Sequence, residues 1–300
     1  MIMRRVLIPG VLLAAGLLLA ACSGAELVNL LTPREGYRQQ RDIAYGALDR
    51  QRLDLYAPAE APSDGPIVVF FHGGGWETGS KDDYLFVAQA LAVRGYTTVI
   101  PNYRLYPTVR YPAFLEDAAA ALAWAHDYRR QSADPARPIF LLGHSAGAYI
   151  AMMLALDERW LSRSPSLAEM PLCDTIRGAV GLAGPYDFLP LSSARLKDIF
   201  GPEPGRPATQ PINHVDGDEP PLLLITGAGD RTVRPGNSRR LAARVQERGG
   251  MAETRVYKDV GHIALIAAYS WLLDGVAPVQ KDVAAFIERY RDDAPCTVEP

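Results

Sequence analysis

Apolar residues along this chain alternate between short solid runs and longer periodic stretches. Ile67-Val68-Val69-Phe70-Phe71 is unbroken, β-branched and aromatic, the pattern of a strand buried on both faces of a mainly parallel sheet. Similar short runs recur at 97–100, 139–142, 179–182, 222–226 and 254–257. Segments 83–94, 112–128, 146–156, 235–248 and 279–290 carry apolar residues at helical spacing. Upstream, 42–46 and 53–58 alternate apolar and polar positions between Gly and Pro, as half-buried strands do. Strand and helix in repeated alternation predict an α/β domain with helices on both faces of its sheet. Two stretches break the rhythm, 157–175 and the Pro- and Gly-rich 184–221. The second predicts an insertion over the carboxyl edge of the sheet, where ligands bind in such folds.

The amino terminus follows another rule. Met1-Ile2-Met3-Arg4-Arg5 precedes sixteen uncharged residues, 6–21, too few for a spanning helix of roughly 20 residues. A basic start, an apolar stretch and small residues before a cleavage point predict a signal peptide over 1–21. Leu19-Ala20-Ala21-Cys22 resembles the bacterial lipobox, which implies a lipidated Cys22 as the first mature residue. Ser23 after it resembles the outer-membrane signal. The expectation is an exported lipoprotein on the periplasm-facing outer membrane, with a secreted or inner-membrane-anchored form as the alternative. Residues 22–41 then read as a lipidated tether, 42–291 as the folded domain and 292–300 as a tail.

Composition narrows the partners. A chain of 300 residues at 48% hydrophobic and 22% charged is an ordinary globular protein, which excludes disordered, collagen-like and small disulfide-framework classes. A net charge of −3 offers no basic field for a phosphate backbone, so nucleic acid is not an expected partner. With Cys22 committed, Cys173 and Cys296 could pair in an oxidising compartment, or stay a buried and a free thiol. No C-x-x-C or H-E-x-x-H run occurs and the five histidines are scattered, so no metal is expected.

Chemistry concentrates at Gly143-His144-Ser145-Ala146-Gly147. A G-x-S-x-G between a strand and a helix is a nucleophile elbow, a turn too tight for larger residues at either glycine. Serine needs a base and an orienting acid. Downstream lie two histidines: His214 in the insertion and His262 just after a strand. His262 is the better placed, because a loop leaving the carboxyl edge can reach Ser145. Asp230, on the turn after strand 222–226, is the expected acid; Asp259 sits too near His262 in sequence to face its ring. Oxyanion donors are expected from the backbone of Gly73 and Gly74, after His72, together with Ala146. No G-K-[ST] or helix-opening G-x-G-x-x-G follows, so nucleotide binding falls away and no cofactor is expected. Trp76 and Tyr186 are candidate pocket residues, and Asp187 is read as organising its loop.

Taken together, HGGGW, Gly79, Lys81, Pro101 to Pro107, Tyr111 to Asp117, GHSAG and the Asp230 and His262 turns resemble the α/β-hydrolase carboxylesterases of the HGGG type, hormone-sensitive-lipase-like and ferulic-acid-esterase-like. The resemblance spans about 42–291. It implies an α/β-hydrolase fold, a scaffold role for Tyr103, Arg104 and Asp117, and hydrolysis of a small or medium carboxylic ester through Ser145, His262, Asp230 and an acyl-enzyme. The expected partner is a small-molecule ester, with the membrane reached through lipid and no protein partner. An aryl formamidase or amidase resembling kynurenine formamidase is the alternative. A non-catalytic lipoprotein binding module is the second.

Overall fold

Eight strands form one sheet in the computed structural model, which describes residues 24–60, 65–168 and 170–292. They are β1 (Tyr37–Ala44), β2 (Arg52–Pro58), β3 (Ile67–Phe71), β4 (Thr97–Pro101), β5 (Ile139–His144), β6 (Gly178–Leu182), β7 (Leu222–Gly227) and β8 (Ala252–Tyr257). Their order is β1-β2-β4-β3-β5-β6-β7-β8. β2 runs antiparallel to β1 and β4, and the remaining pairs are parallel. The helices are α1 (Gly24–Leu31), α2 (Leu85–Ala92), α3 (Ala113–Arg130), α4 (Ala146–Leu156), α5 (Leu172–Thr175), α6 (Ala194–Phe200), α7 (Gly236–Glu247), α8 (His262–Ala267) and α9 (Val279–Arg289).

The solid run of β3 is explained by two packed faces. Side chains alternate along a strand, so Ile67, Val69 and Phe71 enter one core with Leu122 of α3, Met152 of α4 and Leu241 of α7. Val68 and Phe70 enter the other, with Val87 of α2, Leu265 of α8 and Val283 of α9. Helix α4 lies deepest, with all eleven residues buried.

The amino-terminal boundary differs from the expected tether. Residues 22–41 contain α1 and the first half of β1. β1 is an edge strand whose Arg38, Gln39, Gln40, Arg41 and Asp42 are all exposed, and polar edges of this kind prevent strand addition. Such a strand has no apolar face for a pattern to reveal. Asn29 fastens α1 to the domain, donating to the Asp82 carbonyl at 2.9 Å and accepting from the Phe86 amide at 3.2 Å. Cys173 is disulfide-bonded; Cys296, the cysteine with which it could pair, and Cys22 lie outside the described residues. Among the described residues no helix is long and apolar enough to cross a membrane, and no His, Cys, Asp and Glu group could hold a metal.

One buried ion pair ties the edge strands to the loop after β3. Lys81 Nζ lies 2.9 Å from Asp54 Oδ1 and 2.8 Å from Asp42 Oδ1, and Asp54 also accepts from the Asp42 amide at 3.0 Å. Lys81→Met would leave the Asp54 carboxylate buried beside an apolar chain. Stability should fall by about 3 kcal/mol, read as a lower urea midpoint at unchanged m-value.

Candidate active site

Ser145 stands alone between β5 and α4, at φ 55° and ψ −119°. That conformation is strained by about 1–3 kcal/mol and reverses the chain within one residue. The reversal requires glycine on both sides. A Cβ at Gly143 would stand 2.2 Å from the Gly147 carbonyl oxygen, and one at Gly147 would stand 2.0 Å from that of Phe71.

The carboxyl ends of β7 and β8 supply the neighbours of Ser145. His262 opens α8, and its Nε2 is 2.9 Å from Ser145 Oγ. Its Nδ1 is 2.7 Å from Asp230 Oδ2. Asp230 is aimed by the Thr232 and Val233 amides, both donating to Oδ1 at 2.9 Å, so the second oxygen faces the imidazole. The structure thus brings Ser145, His262 and Asp230 into one hydrogen-bonded chain. A hydroxyl so connected can lose its proton to the ring while the carboxylate holds the tautomer and the imidazolium. His214 is elsewhere, its Nε2 donating to the Ala208 carbonyl at 2.8 Å, and Asp259 is exposed.

The loop after β3 is wound around Gly74, at φ 123°. The Gly74 carbonyl accepts from the Glu77 and Thr78 amides at 3.1 and 2.9 Å, which fixes the peptide planes of the turn. His72 supports it from below, stacked on Tyr103 at 4.3 Å, with Nδ1 donating to the Gly73 carbonyl at 2.7 Å. Tyr103 in turn donates to the His72 carbonyl at 2.8 Å, while Arg104 and Asp117 pair at 2.8 Å, placing all three in the scaffold. Gly73 departs from its expected role, because its N–H already donates to the Tyr84 hydroxyl at 3.1 Å. The Gly74 N–H has no acceptor among the described residues, and Ala146, first in its helix, has none within α4. These two amides are free to receive an oxyanion.

A cavity of about 780 Å³ opens over Ser145. Its walls correct the sequence reading. Trp76 is only 4% exposed and packs against Phe188 and Phe200 in the core, and Tyr186 is fully buried; neither lines the cavity. Tyr186 belongs to the insertion and Trp76 packs on it through Phe188 and Phe200; the insertion packs next to the glycine loop through the Arg195–Glu77 ion pair and adds no wall. Asp187 organises its loop, bonded to Arg240 and through its amide to Asn237. The lining comes instead from Tyr84, Phe86, Ile263, Ile266 and Leu273, and from Ala25 and Val28 of α1. Periodicity missed these residues because Tyr84 and Phe86 read as ordinary helix core and α1 as tether. Burial raises the Tyr84 phenol to about 12, so its hydroxyl keeps a proton to donate.

Comparison with known proteins gives the same architecture. The BD-FAE family model matches residues 53–245. Esterase LipC of Mycobacterium tuberculosis is 27% identical over 276 residues, covering 84% of this chain and 66% of LipC. Kynurenine formamidase of Danio rerio is 30% identical over 159 residues, 52% of this chain and 50% of that protein. The chain spans about half the length of several curated relatives, 51% for a probable isoprenylcysteine alpha-carbonyl methylesterase of Arabidopsis thaliana. An inhibited esterase B from Lactobacillus rhamnosis superposes with a TM-score of 0.73 at 20% identity, covering 92% of this chain and 94% of that one. The fold is that of the α/β-hydrolases.

Two buried histidines flank the site and stay neutral. Burial, with His262 nearby, lowers His144 from 6.5 to about 3; burial does the same to His72 against a small opposing effect of its bond to Gly73. Both protonate near pH 6.5 once unfolded, so between that pH and about 3 the unfolded chain binds more protons. Stability is therefore retained above pH 6.5 and lost as pH falls through this window. Urea titrations at pH 7, 6 and 5 should show each ring contributing a loss of about 0.7 kcal/mol from pH 7 to 6 and about 1.2 kcal/mol from pH 6 to 5, the slope approaching about 1.4 kcal/mol per pH unit below that. His144→Gln should remove one such contribution.

Proposed function

The chain belongs to the BD-FAE family, and from that membership and the geometry around Ser145 we propose that it is a carboxylic ester hydrolase. Ser145 Oγ attacks the ester carbonyl as His262 takes its proton, and the oxyanion is held by the Gly74 and Ala146 amides. His262 returns the proton to the departing alcohol. Water, deprotonated by the same ring, then attacks the acyl-enzyme and releases the acid. Asp230 keeps Nδ1 protonated throughout.

The observation that carries this reading is the continuous chain from Ser145 through His262 to Asp230, at 2.9 and 2.7 Å, beneath a glycine loop with an unengaged amide. The esterase names of the relatives agree with it. A second reading, hydrolysis of an aryl formamide, is favoured by the likeness to kynurenine formamidase and by Tyr84 and Phe86 on the cavity wall.

A fluorophosphonate probe should label Ser145 and leave Ser145→Ala unlabelled. Turnover of p-nitrophenyl acetate should drop by about 10⁴-fold in Ser145→Ala and in Asp230→Asn, which loses the correct tautomer. Labelling without loss of turnover in Ser145→Ala would refute the mechanism, and a folded chain that never labels would point to a binding protein. Comparing p-nitrophenyl acetate with N-formyl aromatic amides decides between the two substrate classes.

A further inference from the structure

Large apolar side chains left in water are concentrated in one place. Of ten among the described residues, seven lie on α1 or within residues 263–276. Leu30 is 67% exposed, Ile263 69% and Trp271 50%, with Leu31, Leu272 and Val276 beside them. The two segments touch, because Trp271 Nε1 donates to the Leu31 carbonyl at 3.0 Å. They also wall the cavity over Ser145, through Ala25 and Val28 on one side and Ile263 and Leu273 on the other. Single exposed apolar residues need no explanation, but a contiguous rim around a cavity mouth does. Helix α1 buries none of its residues completely, with Val28 packed against the edge of the core, so core packing does not account for its exposed Leu30 and Leu31.

The chain just ahead of α1 indicates what covers the rim. Residues 6–21 carry no charge and run into Cys22. Only Ser23 separates Cys22 from Gly24, two residue steps with a reach of at most about 7 Å, and Gly24 itself lines the cavity. A lipid on Cys22, as the lipobox resemblance implies, or the apolar run itself if retained, would hold a bilayer within that distance of the cavity wall. Amphipathic segments placed there bury their apolar side chains at the headgroup boundary.

We propose that the rim formed by α1 and residues 263–276 docks on the lipid surface that holds the amino terminus, so that the cavity opens onto the bilayer and draws its ester from it. The substrate class rests on the hydrolase reading above; the docking does not.

The test uses the full chain in vesicles of phosphatidylethanolamine and phosphatidylglycerol, with part of the lipid brominated along its acyl chains. Quenching should be stronger in the wild-type chain than in Trp271→Phe, the difference belonging to this indole. Equal quenching would overturn docking, as it would if a second copy or residues 1–23 covered the rim. Leu30→Glu with Leu272→Glu, neither of which lines the cavity, should lose about tenfold or more on a long-chain ester held in the vesicles. The same variant should retain its rate on p-nitrophenyl acetate in water. An unchanged ratio of the two rates would overturn delivery from the bilayer. A wild-type chain that hydrolyses neither ester would refute the hydrolase reading, while the Trp271 quenching would still decide docking.

Discussion

The site depends on how closely α4 approaches the end of β3. Only a hydrogen atom fits between Gly147 and the Phe71 carbonyl, where a Cβ would stand 2.0 Å from oxygen. That contact lets α4 start directly beneath the glycine loop and forces Ser145 into its left-handed turn. Burial opposes the strain of the turn. Ile150, Met152, Met153 and Leu154 are all fully buried, each contributing roughly 1.5–3 kcal/mol, against about 1–3 kcal/mol for one such backbone conformation. The apolar helix thus holds the serine in a shape it would not adopt in water.

Polar contacts complete the work. Arg50 donates to the Tyr103 and Gly79 carbonyls, and Lys81 joins Asp54 to Asp42. Both connections run from the β1–β2 hairpin to the loop after β3, and Arg50 reaches the loop after β4 as well. The exposed edge strand is therefore mechanically coupled to the glycine turn, although three strands stand between it and β5.

What the sequence made legible follows from burial. β3 and α4 coincide with their predicted limits, because two-sided burial leaves an unmistakable apolar run. The glycine-flanked serine and the aspartate and histidine at strand ends were also readable, since tight turns and chain order constrain which residues can stand there; the structure brings all three side chains together. Trp76 and Tyr186 went astray because an aromatic beside a glycine loop looks the same whether it faces a ligand or a core. The engagement of the Gly73 amide by Tyr84 depends on a contact across eleven residues that no local pattern encodes. The amino-terminal part of β1 was missed because its exposed polar run shows no alternation, and α1 because one short apolar patch in eight residues reads as part of a tether.

Helix α1 forms part of the cavity wall yet buries nothing of its own. Apart from Val28, packed on the core, and Asn29, bonded to the loop beneath it, its residues are released from the packing demands that hold the serine, histidine and aspartate in register. A substitution at Ala25, on the cavity wall, can reshape what enters the cavity at little cost to the scaffold. Part of the cavity wall can thus change shape independently of the sheet that carries the serine, histidine and aspartate.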